Sequence, residues 1–479
     1  MKSVIDVIQG EFNTKSLQDG KEQIMPEDTS DDMITILDDK PIDKNMKFLE
    51  VCSSDCRLAV SIYNFLMKKL DNTECGFANG NEKSDWILSK MIYVVASSTM
   101  AMIICRKTLY GDMNTEGNVI LIDGINDIVQ KDFKNNTNEF EKIIKVKFGD
   151  NNMKFDVVVG NPPYNNDLYI PFVIRGHALS KQYSIWITPA KWQAKNSSRT
   201  DKSGNIIDGP NELFRKNIVP YIAKAVFYKN STDIFTIEEW GGIAYYLIDK
   251  YTHTDKLVKS VCGINSILAS DFEVHDEDKL NLYNRNILKI IGKVGTLGWL
   301  KQSMYVQNTD HGEISIDGTL GFRREIFTGE QDRGEICKTE DYYVEVMQGE
   351  NVVGYRKKSE LYTTFNLDKY KCICIIMGGG GTVTFDKNGQ IIGMVYISII
   401  GPNQVPKGSF PVLRYFDTRD EAESFVSYLN AKLIRFLYYI GCCGTTITKE
   451  FFRFIPDQIK YDHIFTDAEL YEKYNLTDE

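Results

Sequence analysis

The feature that most constrains the fold is the stretch 155–164, which runs Phe-Asp-Val-Val-Val-Gly-Asn-Pro-Pro-Tyr. Its β-branched run Val157–Val159 is typical of a strand buried on both faces of a parallel sheet. Pro162 and Pro163 have a fixed φ and no N–H group, so they end the strand and stiffen the turn after it. Asn161 and Tyr164 are therefore expected at the carboxyl end of a strand, where open α/β sheets bind their ligands.

The chemistry of this stretch favours one kind of ligand. The side-chain oxygen of Asn161 and the carbonyl of Gly160 or Pro162 can accept N–H groups, and the Tyr164 ring can stack on a flat surface. These groups suit a planar ligand that carries an exocyclic amine. The alternative is a strand followed by an ordinary proline turn with no ligand.

Asn-Pro-Pro-Tyr after a hydrophobic strand resembles the catalytic motif of the gamma-class adenine-specific DNA methyltransferases of bacterial restriction–modification systems. The resemblance implies an α/β fold: a Rossmann-like methyltransferase domain with a mainly parallel sheet, plus a C-terminal α+β target-recognition domain. It implies that the catalytic residues are Asn161, Pro162, Pro163 and Tyr164. It also implies that Tyr164 and Phe235 stack on the two faces of an adenine flipped out of the duplex.

The same resemblance implies S-adenosylmethionine as the cofactor, with contacts from Pro26, Glu50, Cys52, Asp123 and Asn161. Two features depart from the family pattern. The loop Glu50–Cys56 carries Ser or Cys at both positions where the family has glycine, and a Cβ restricts how closely backbone can approach a ligand. Ser97 and Ser98 end the second strand, where an acid usually holds the ribose hydroxyls.

Two functions other than DNA methylation stay open, and the first of them follows from these departures. The chain is either an active enzyme or a DNA-recognition protein whose methyltransferase fold binds cofactor weakly, or only with a partner subunit. Methylation of RNA or of protein amides is a third alternative, because sites of this type also serve those substrates.

The domain organisation is predicted from a change of character along the chain. We expect a methyltransferase domain over 1–255, a linker with helical content over 256–290, and a DNA target-recognition domain over 291–479. Thr418–Glu421 predicts a capping box that opens a helix ending at Gly441. Basic clusters predicted to contact DNA are Arg323, Arg324, Arg356, Lys357 and Lys358; the alternative is that each cluster is a solvated face without a ligand.

Composition limits the partners. The 479 residues carry a net charge of −10, which is not the basic footprint of a simple nucleic-acid binder, although a local basic cleft can operate on an acidic protein. The expected partners are double-stranded DNA and either a partner subunit or a cognate restriction endonuclease. Ten scattered cysteines, no metal-ligand spacing and no apolar run of about 20 residues predict a cytoplasmic protein without metal or membrane. The resemblance implies that the cell is a bacterial or phage-infected one.

Overall fold

The structure is a computed structural model, and it divides the chain into two compact units, Met1–Asn284 and Arg285–Glu479. The residues that it describes are 25–193, 199–200, 206–207, 209–228, 231–235, 242–251, 258–262, 269–272, 285–294, 343–358, 366–374, 397–406, 410, 412–441, 452, 454–458 and 460–476. None of the described helices combines the length and the apolarity that crossing a bilayer requires.

The first unit alternates strands and helices. Its strands are β1 (Phe48–Ser53), β2 (Ile92–Ala96), β3 (Val119–Leu121), β4 (Phe155–Gly160), β5 (Ser180–Pro189), β6 (Arg199–Thr200), β7 (Ile206–Ile207), β8 (Ile222–Tyr228), β9 (Ile243–Asp249), β10 (Val258–Cys262) and β11 (Ala269–Phe272). Its helices are α1 (Glu27–Thr35), α2 (Arg57–Lys69), α3 (Asn72–Cys75), α4 (Gly80–Trp86), α5 (Thr99–Tyr110), α6 (Ile125–Asn135), α7 (Glu139–Lys147), α8 (Tyr169–Leu179) and α9 (Pro210–Asn217).

Nine of these strands form one sheet in the order β11-β10-β8-β9-β5-β4-β1-β2-β3. The pairs from β3 through to β5 are all parallel, and β9 inserts antiparallel between β5 and β8. Side chains of β1, β2 and β4 are buried on both faces, as their apolar runs require. This mainly parallel, Rossmann-like sheet confirms the predicted fold class.

The order of the strands fixes where a ligand can bind. The chain proceeds outward from β1 to β2 and β3 on one side, and through β4 to β5 on the other. The point of reversal therefore lies between β1 and β4, whose last paired residues are Val51 and Gly160. Open α/β sheets bind ligands at the carboxyl ends of the strands that flank such a switch point.

The second unit mixes helices with two small sheets. Its elements are α10 (Arg285–Val294), β12 (Tyr343–Gln348), β13 (Asn351–Lys357), β14 (Tyr370–Ile373), β15 (Ser398–Ile400), β16 (Gln404–Pro406), β17 (Val412–Phe416), α11 (Arg419–Asn430), α12 (Lys432–Gly441) and α13 (Asp467–Lys473). The sheets have the orders β13-β12-β16 and β15-β14-β17. An α+β composition is what the sequence predicts for this part of the chain.

The structure can be compared with two local predictions, the helix that begins after Thr418 and the linker 256–290. The capping box at Thr418 and Glu421 is present, but the single helix predicted to run on to Gly441 is wrong. Ala431 has an extended backbone that separates α11 from α12, and the Lys432 amide donates to Asp467 Oδ1 at 2.6 Å. The predicted linker 256–290 includes β10 and β11, which extend the large sheet. The predicted domain boundaries themselves stay a prediction.

Candidate active site

The turn after β4 is shaped by a glycine that allows close packing. A Cβ on Gly160 would lie 2.6 Å from Cζ3 of Trp186 on β5 and 3.0 Å from the Val51 carbonyl oxygen on β1. The contact with Trp186 is too short for any Cβ, and the contact with Val51 would require the strand backbone to shift, which packed strands do not do easily. Gly160 therefore lets the three strands come together at the point where Asn161 begins the turn.

The turn places a short hydrogen-bonded pair at the switch point. Tyr164 Oη donates to Asn161 Oδ1 at 3.0 Å, and the Tyr164 ring is buried while Asn161 is half-buried. Pro162 is buried and Pro163 half-buried between them. In this structure, the Asn161 oxygen predicted to accept an amine already accepts the hydroxyl of its own neighbour.

The structure brings together the two aromatic residues predicted to stack on a base. The ring centroids of Tyr164 and Phe235 lie 6.2 Å apart, with an angle of 77° between the ring planes. A base between two parallel rings would need planes about 7 Å apart, twice a contact distance of about 3.5 Å. The rings are neighbours as the sequence predicts, but they meet edge to face, so one of them must turn before both can stack on one base.

The loop after β1 has an unusual backbone. Cys52 and Cys56 have φ values of 61° and 68°, a left-handed conformation that residues other than glycine seldom adopt. Cys52 forms a bulge in the pairing of β1 with β2, and the Cys56 amide donates to Ser53 Oγ at 3.1 Å. The loop therefore keeps a glycine-like backbone although it contains no glycine.

The buried side chain of Glu50 links strand β1 to the helix that follows this loop. Its side chain is only 3% exposed, and its Oε2 accepts the Ala59 amide of α2 at 2.8 Å. Burial raises the pKa of the Glu50 carboxyl to about 8, and hydrogen bonding with Ser53 only partly opposes that rise. The carboxyl group thus ties β1 to the first turn of α2, and its predicted contact with cofactor stays a prediction.

The same loop contains a buried ion pair that the sequence reasoning missed. Arg57 Nε donates to Asp55 Oδ2 at 2.9 Å, and the Arg57 amide donates to Asp55 Oδ1 at 3.2 Å. Asp55 is 5% exposed and Arg57 is 9% exposed. The signal available in the sequence was an arginine two residues after an aspartate at the start of an amphipathic helix, a spacing that is common on protein surfaces.

Asp123, which is predicted to contact cofactor, and the two serines that stand in place of the ribose-binding acid follow strands β3 and β2 at the same edge of the sheet. Asp123 is exposed in the turn between β3 and α6. Ser98 Oγ caps α5 by accepting the Ala101 amide at 3.1 Å, while the Ser97 amide donates to the Ser53 carbonyl at 2.9 Å. The Ser98 oxygen thus accepts one hydrogen bond from the helix backbone.

Pro26 lies at the start of α1, where its carbonyl accepts the Ser30 amide at 3.1 Å. Helix α1 is joined to α2 by Ser61 Oγ, which donates to Asp31 Oδ1 at 2.6 Å. Pro26 therefore directly precedes a helix that is attached to the helix after the β1 loop, and its contact with cofactor stays a prediction.

Only some of the residues predicted to contact DNA lie within the part of the chain that the structure describes. Arg323 and Arg324 lie outside the described residues. Arg356 and Lys357 end strand β13, and Lys358 comes directly after it; Lys357 is exposed and Lys358 is half-buried. Their contact with DNA stays a prediction.

A Rossmann-like sheet with Asn-Pro-Pro-Tyr at its switch point is the arrangement expected of the amino-methyltransferase class. Comparison with known proteins agrees with this class and indicates a restriction-modification methylase within it. Residues 90–167 match the family described as Eco57I restriction-modification methylase, which confirms the resemblance to gamma-class adenine methyltransferases. The matched residues run from the segment just before β2 past the Asn-Pro-Pro-Tyr turn.

One curated relative is an uncharacterized adenine-specific methylase from Mycoplasma pneumoniae. It is 30% identical over 125 residues, which are 23% of this chain and 27% of that protein. The match thus spans about a quarter of the relative's length.

Two solved structures are also similar to this chain, both at low identity. The methyltransferase subunit of a type I restriction-modification system from Streptococcus thermophilus is 13% identical with a TM-score of 0.34, over 57% of this chain and 52% of that chain. The type IIG restriction endonuclease BpuSI is 10% identical with a TM-score of 0.38, over 95% of this chain and 61% of that chain.

Proposed function

We propose that the protein is a site-specific DNA adenine methyltransferase that moves a methyl group from S-adenosylmethionine to the exocyclic amine of a flipped-out adenine. The observation that carries this proposal is the position of Asn161 and Tyr164 at the switch point of the sheet, with Phe235 against the Tyr164 ring. An amide oxygen and two aromatic faces at this point suit an aromatic amine.

The proposed site acts mainly by positioning. Extruding an adenine from the duplex costs a few kcal/mol, which stacking on Tyr164 and Phe235 offsets in part. One of the two edge-to-face rings must first turn, and the incoming amine must compete with the Tyr164 hydroxyl for Asn161 Oδ1. Asn161 Oδ1 and the Pro162 carbonyl then accept the two N–H groups of the amine and hold its nitrogen lone pair toward the methyl donor.

The residues beside the β1 end fit S-adenosylmethionine, which when bound supplies an electrophilic methyl group. The left-handed Cys52 and Cys56 give the loop the backbone shape that glycine gives in the family. The exposed carboxylate of Asp123 is available to accept the adenine amine of the cofactor. At the end of β2, where the family has an acid for the ribose hydroxyls of the cofactor, this chain has Ser97 and Ser98.

The proposed substrate is double-stranded DNA in a bacterial or phage-infected cell. Support comes from the restriction–modification family matched by residues 90–167 and from the second, α+β unit that comes after the methyltransferase domain. A cognate restriction endonuclease or a partner subunit is the expected companion. Arg323, Arg324, Arg356, Lys357 and Lys358 are the proposed DNA contacts.

Replacement of Asn161 tests the proposal. Asn161→Ala removes the side-chain acceptor, and we expect methyl transfer to fall by at least about 100-fold because a positioned polar contact to the reacting group is lost. The measurement is incorporation of labelled methyl groups into DNA, with the target located by sequencing N6-methyladenine in DNA from expressing cells. Unchanged incorporation by Asn161→Ala would remove Asn161 from the reaction.

The matched control is Asn165→Ala, which removes the same side chain from an exposed position in the next turn. It should retain activity close to that of the wild type. Both variants should keep the wild-type melting temperature within a few degrees, which separates a catalytic defect from a folding defect.

A further inference from the structure

Arg57 is a buried cation whose hydrogen-bonding capacity is only partly used. A guanidinium carries five N–H donors in a fixed fork, and Nε accounts for one of them through Asp55. Within the described part of the chain, Asp55 is the partner of Nε, and Nη1 and Nη2 have none. The two Nη atoms keep contact with solvent although the side chain as a whole is only 10% exposed, so an anion that arrives with a ligand can reach them.

The position of Arg57 supports an anionic partner. It is the first residue of α2, a helix of 13 residues with no acidic residue in its first turn. Helix N-termini carry a partial positive charge and exposed N–H groups, so the field adds to that of the guanidinium. The loop that leads into α2 comes directly from the carboxyl end of β1, at the switch point of the sheet.

Asp55 fixes the direction of the fork. It accepts hydrogen bonds from both the amide and Nε of Arg57, so the side chain is tied down at its base and near its tip. With Nε held by Asp55, the Nη pair remains as the parallel donor pair that matches a carboxylate. Asp55 is in this respect a positioning residue, which acts on a ligand through Arg57.

We infer that Arg57 binds the carboxylate at the amino-acid end of S-adenosylmethionine. This inference rests on the proposed function, in which S-adenosylmethionine is the methyl donor. The carboxylate is the one anionic group of that molecule, whereas its ammonium and sulfonium groups would be repelled by a guanidinium. Side chains at Cys52 and Cys56 restrict the close backbone approach that glycine allows, and the Arg57 fork supplies donors from a greater distance.

A pair of ligands that differ only in the carboxylate tests the inference. Isothermal titration calorimetry on the full chain, without DNA, compares S-adenosylmethionine with its decarboxylated form. We expect the wild type to bind S-adenosylmethionine about 10- to 100-fold more tightly, the range for a hydrogen-bonded charge pair. In Arg57→Met the two ligands should bind with affinities within about twofold of each other, because the group that distinguishes them is gone.

Further variants separate binding from folding. Arg57→Lys keeps the charge but loses the fork, and should retain only part of the discrimination. The double variant Asp55→Asn/Arg57→Met avoids leaving a buried unpaired carboxylate if Arg57→Met does not fold, and should also bind both ligands equally. Arg419→Met, which removes an exposed arginine of the second unit, should discriminate like the wild type.

The outcomes distinguish this inference from the proposed function. A wild type that binds both ligands equally tightly would overturn the role of Arg57 and leave the proposed function standing. Equal weakening of both ligands by Arg57→Met would show that Arg57 only maintains the loop. A wild type that binds neither ligand would contradict the proposed function itself, and this inference with it.

Discussion

At the scale of single residues, the loop after β1 departs most from what its residue types prefer. Cys52 and Cys56 both have positive φ, and a left-handed conformation costs a residue with a Cβ about 1–2 kcal/mol. Cys56 is fully buried, with its amide held by Ser53 Oγ at 3.1 Å. The surrounding hydrogen bonds and packing therefore hold this backbone in place against its local preference.

This strain makes a prediction about Cys56. Both Cys56→Ala and Cys56→Gly remove the thiol, but only the glycine variant also relieves the backbone. We expect Cys56→Gly to be more stable than Cys56→Ala by about 1 kcal/mol, the reverse of the usual order. Urea denaturation of the two variants measures the difference directly.

The control for this comparison is Ala59→Gly, three residues further on within α2. There the ordinary order should hold, and glycine should destabilise the protein by about 1 kcal/mol. An alanine variant at position 56 that is more stable than the glycine variant would show that the loop relaxes to negative φ when the thiol is removed.

Sequence reasoning at this scale succeeded where residue type and local order carry the information. The strand Val157–Val159, the glycine and the proline turn place Asn161 and Tyr164 at the strand end without reference to any distant contact. The angle between the Tyr164 and Phe235 rings could not be predicted, since it depends on packing between segments about 70 residues apart in the chain. The Asp55 and Arg57 pair was missed because its burial, rather than its spacing, makes it unusual.

At the scale of elements, β1 and α2 are joined by a group whose charge depends on pH. Glu50 on β1 accepts the Ala59 amide of α2, and burial raises the pKa of its carboxyl to about 8. The ordinary value, near 4.5, applies in the unfolded chain. Between these two values the folded protein binds more protons than the unfolded chain, so the free energy of unfolding falls as pH rises from about 4.5 to about 8.

Glu50→Gln should remove this dependence, because an amide of similar shape does not titrate. We expect the wild type to lose a few kcal/mol of stability relative to the variant between about pH 5 and pH 8, at about 1.36 kcal/mol for each unit of pKa difference. Chemical denaturation at several pH values measures both proteins, and groups that titrate in both cancel in the comparison. Parallel stability curves for the two proteins would mean that Glu50 is not neutral in the fold.

The two ends of α11 show which helix boundaries local sequence can predict and which it cannot. The capping box at Thr418 was predicted because all of its groups lie within four residues. The break at Ala431 was not, because the acceptor of the Lys432 amide is Asp467, from a different helix. The apolar spacing of α11 and α12 continues across the break, so periodicity gave no sign of it.

At the scale of the whole molecule, an acidic protein is proposed to bind a polyanion. The net charge of −10 opposes binding to DNA at long range, so association must depend on local positive groups. Lys357 and Lys358 are described cations at and just beyond the end of β13. Each phosphate contact made by such a residue releases condensed counterions.

A salt titration tests whether these lysines contact phosphates. The logarithm of the binding constant should fall linearly with the logarithm of salt concentration, and Lys357→Ala should reduce the slope by about 1. Fluorescence anisotropy with a duplex that contains the methylated sequence gives the slope. Lys131→Ala, at an exposed position on α6, should leave the slope as it is in the wild type. An unchanged slope for Lys357→Ala would place Lys357 away from the DNA backbone.

The hydrogen bond from the Tyr164 hydroxyl to Asn161 Oδ1 has a consequence for selectivity. On the proposed role of Asn161, this hydroxyl occupies one of the two acceptor positions of Oδ1 and competes with an incoming amine for the oxygen. A hydrogen bond of net worth about 1 kcal/mol weakens such an amine about fivefold. Free adenine and its nucleosides bring little binding energy beyond the base to overcome this competitor. A recognised stretch of duplex makes contacts along its whole length. The hydrogen bond between Tyr164 and Asn161 therefore disfavours binding of small metabolites more than binding of DNA.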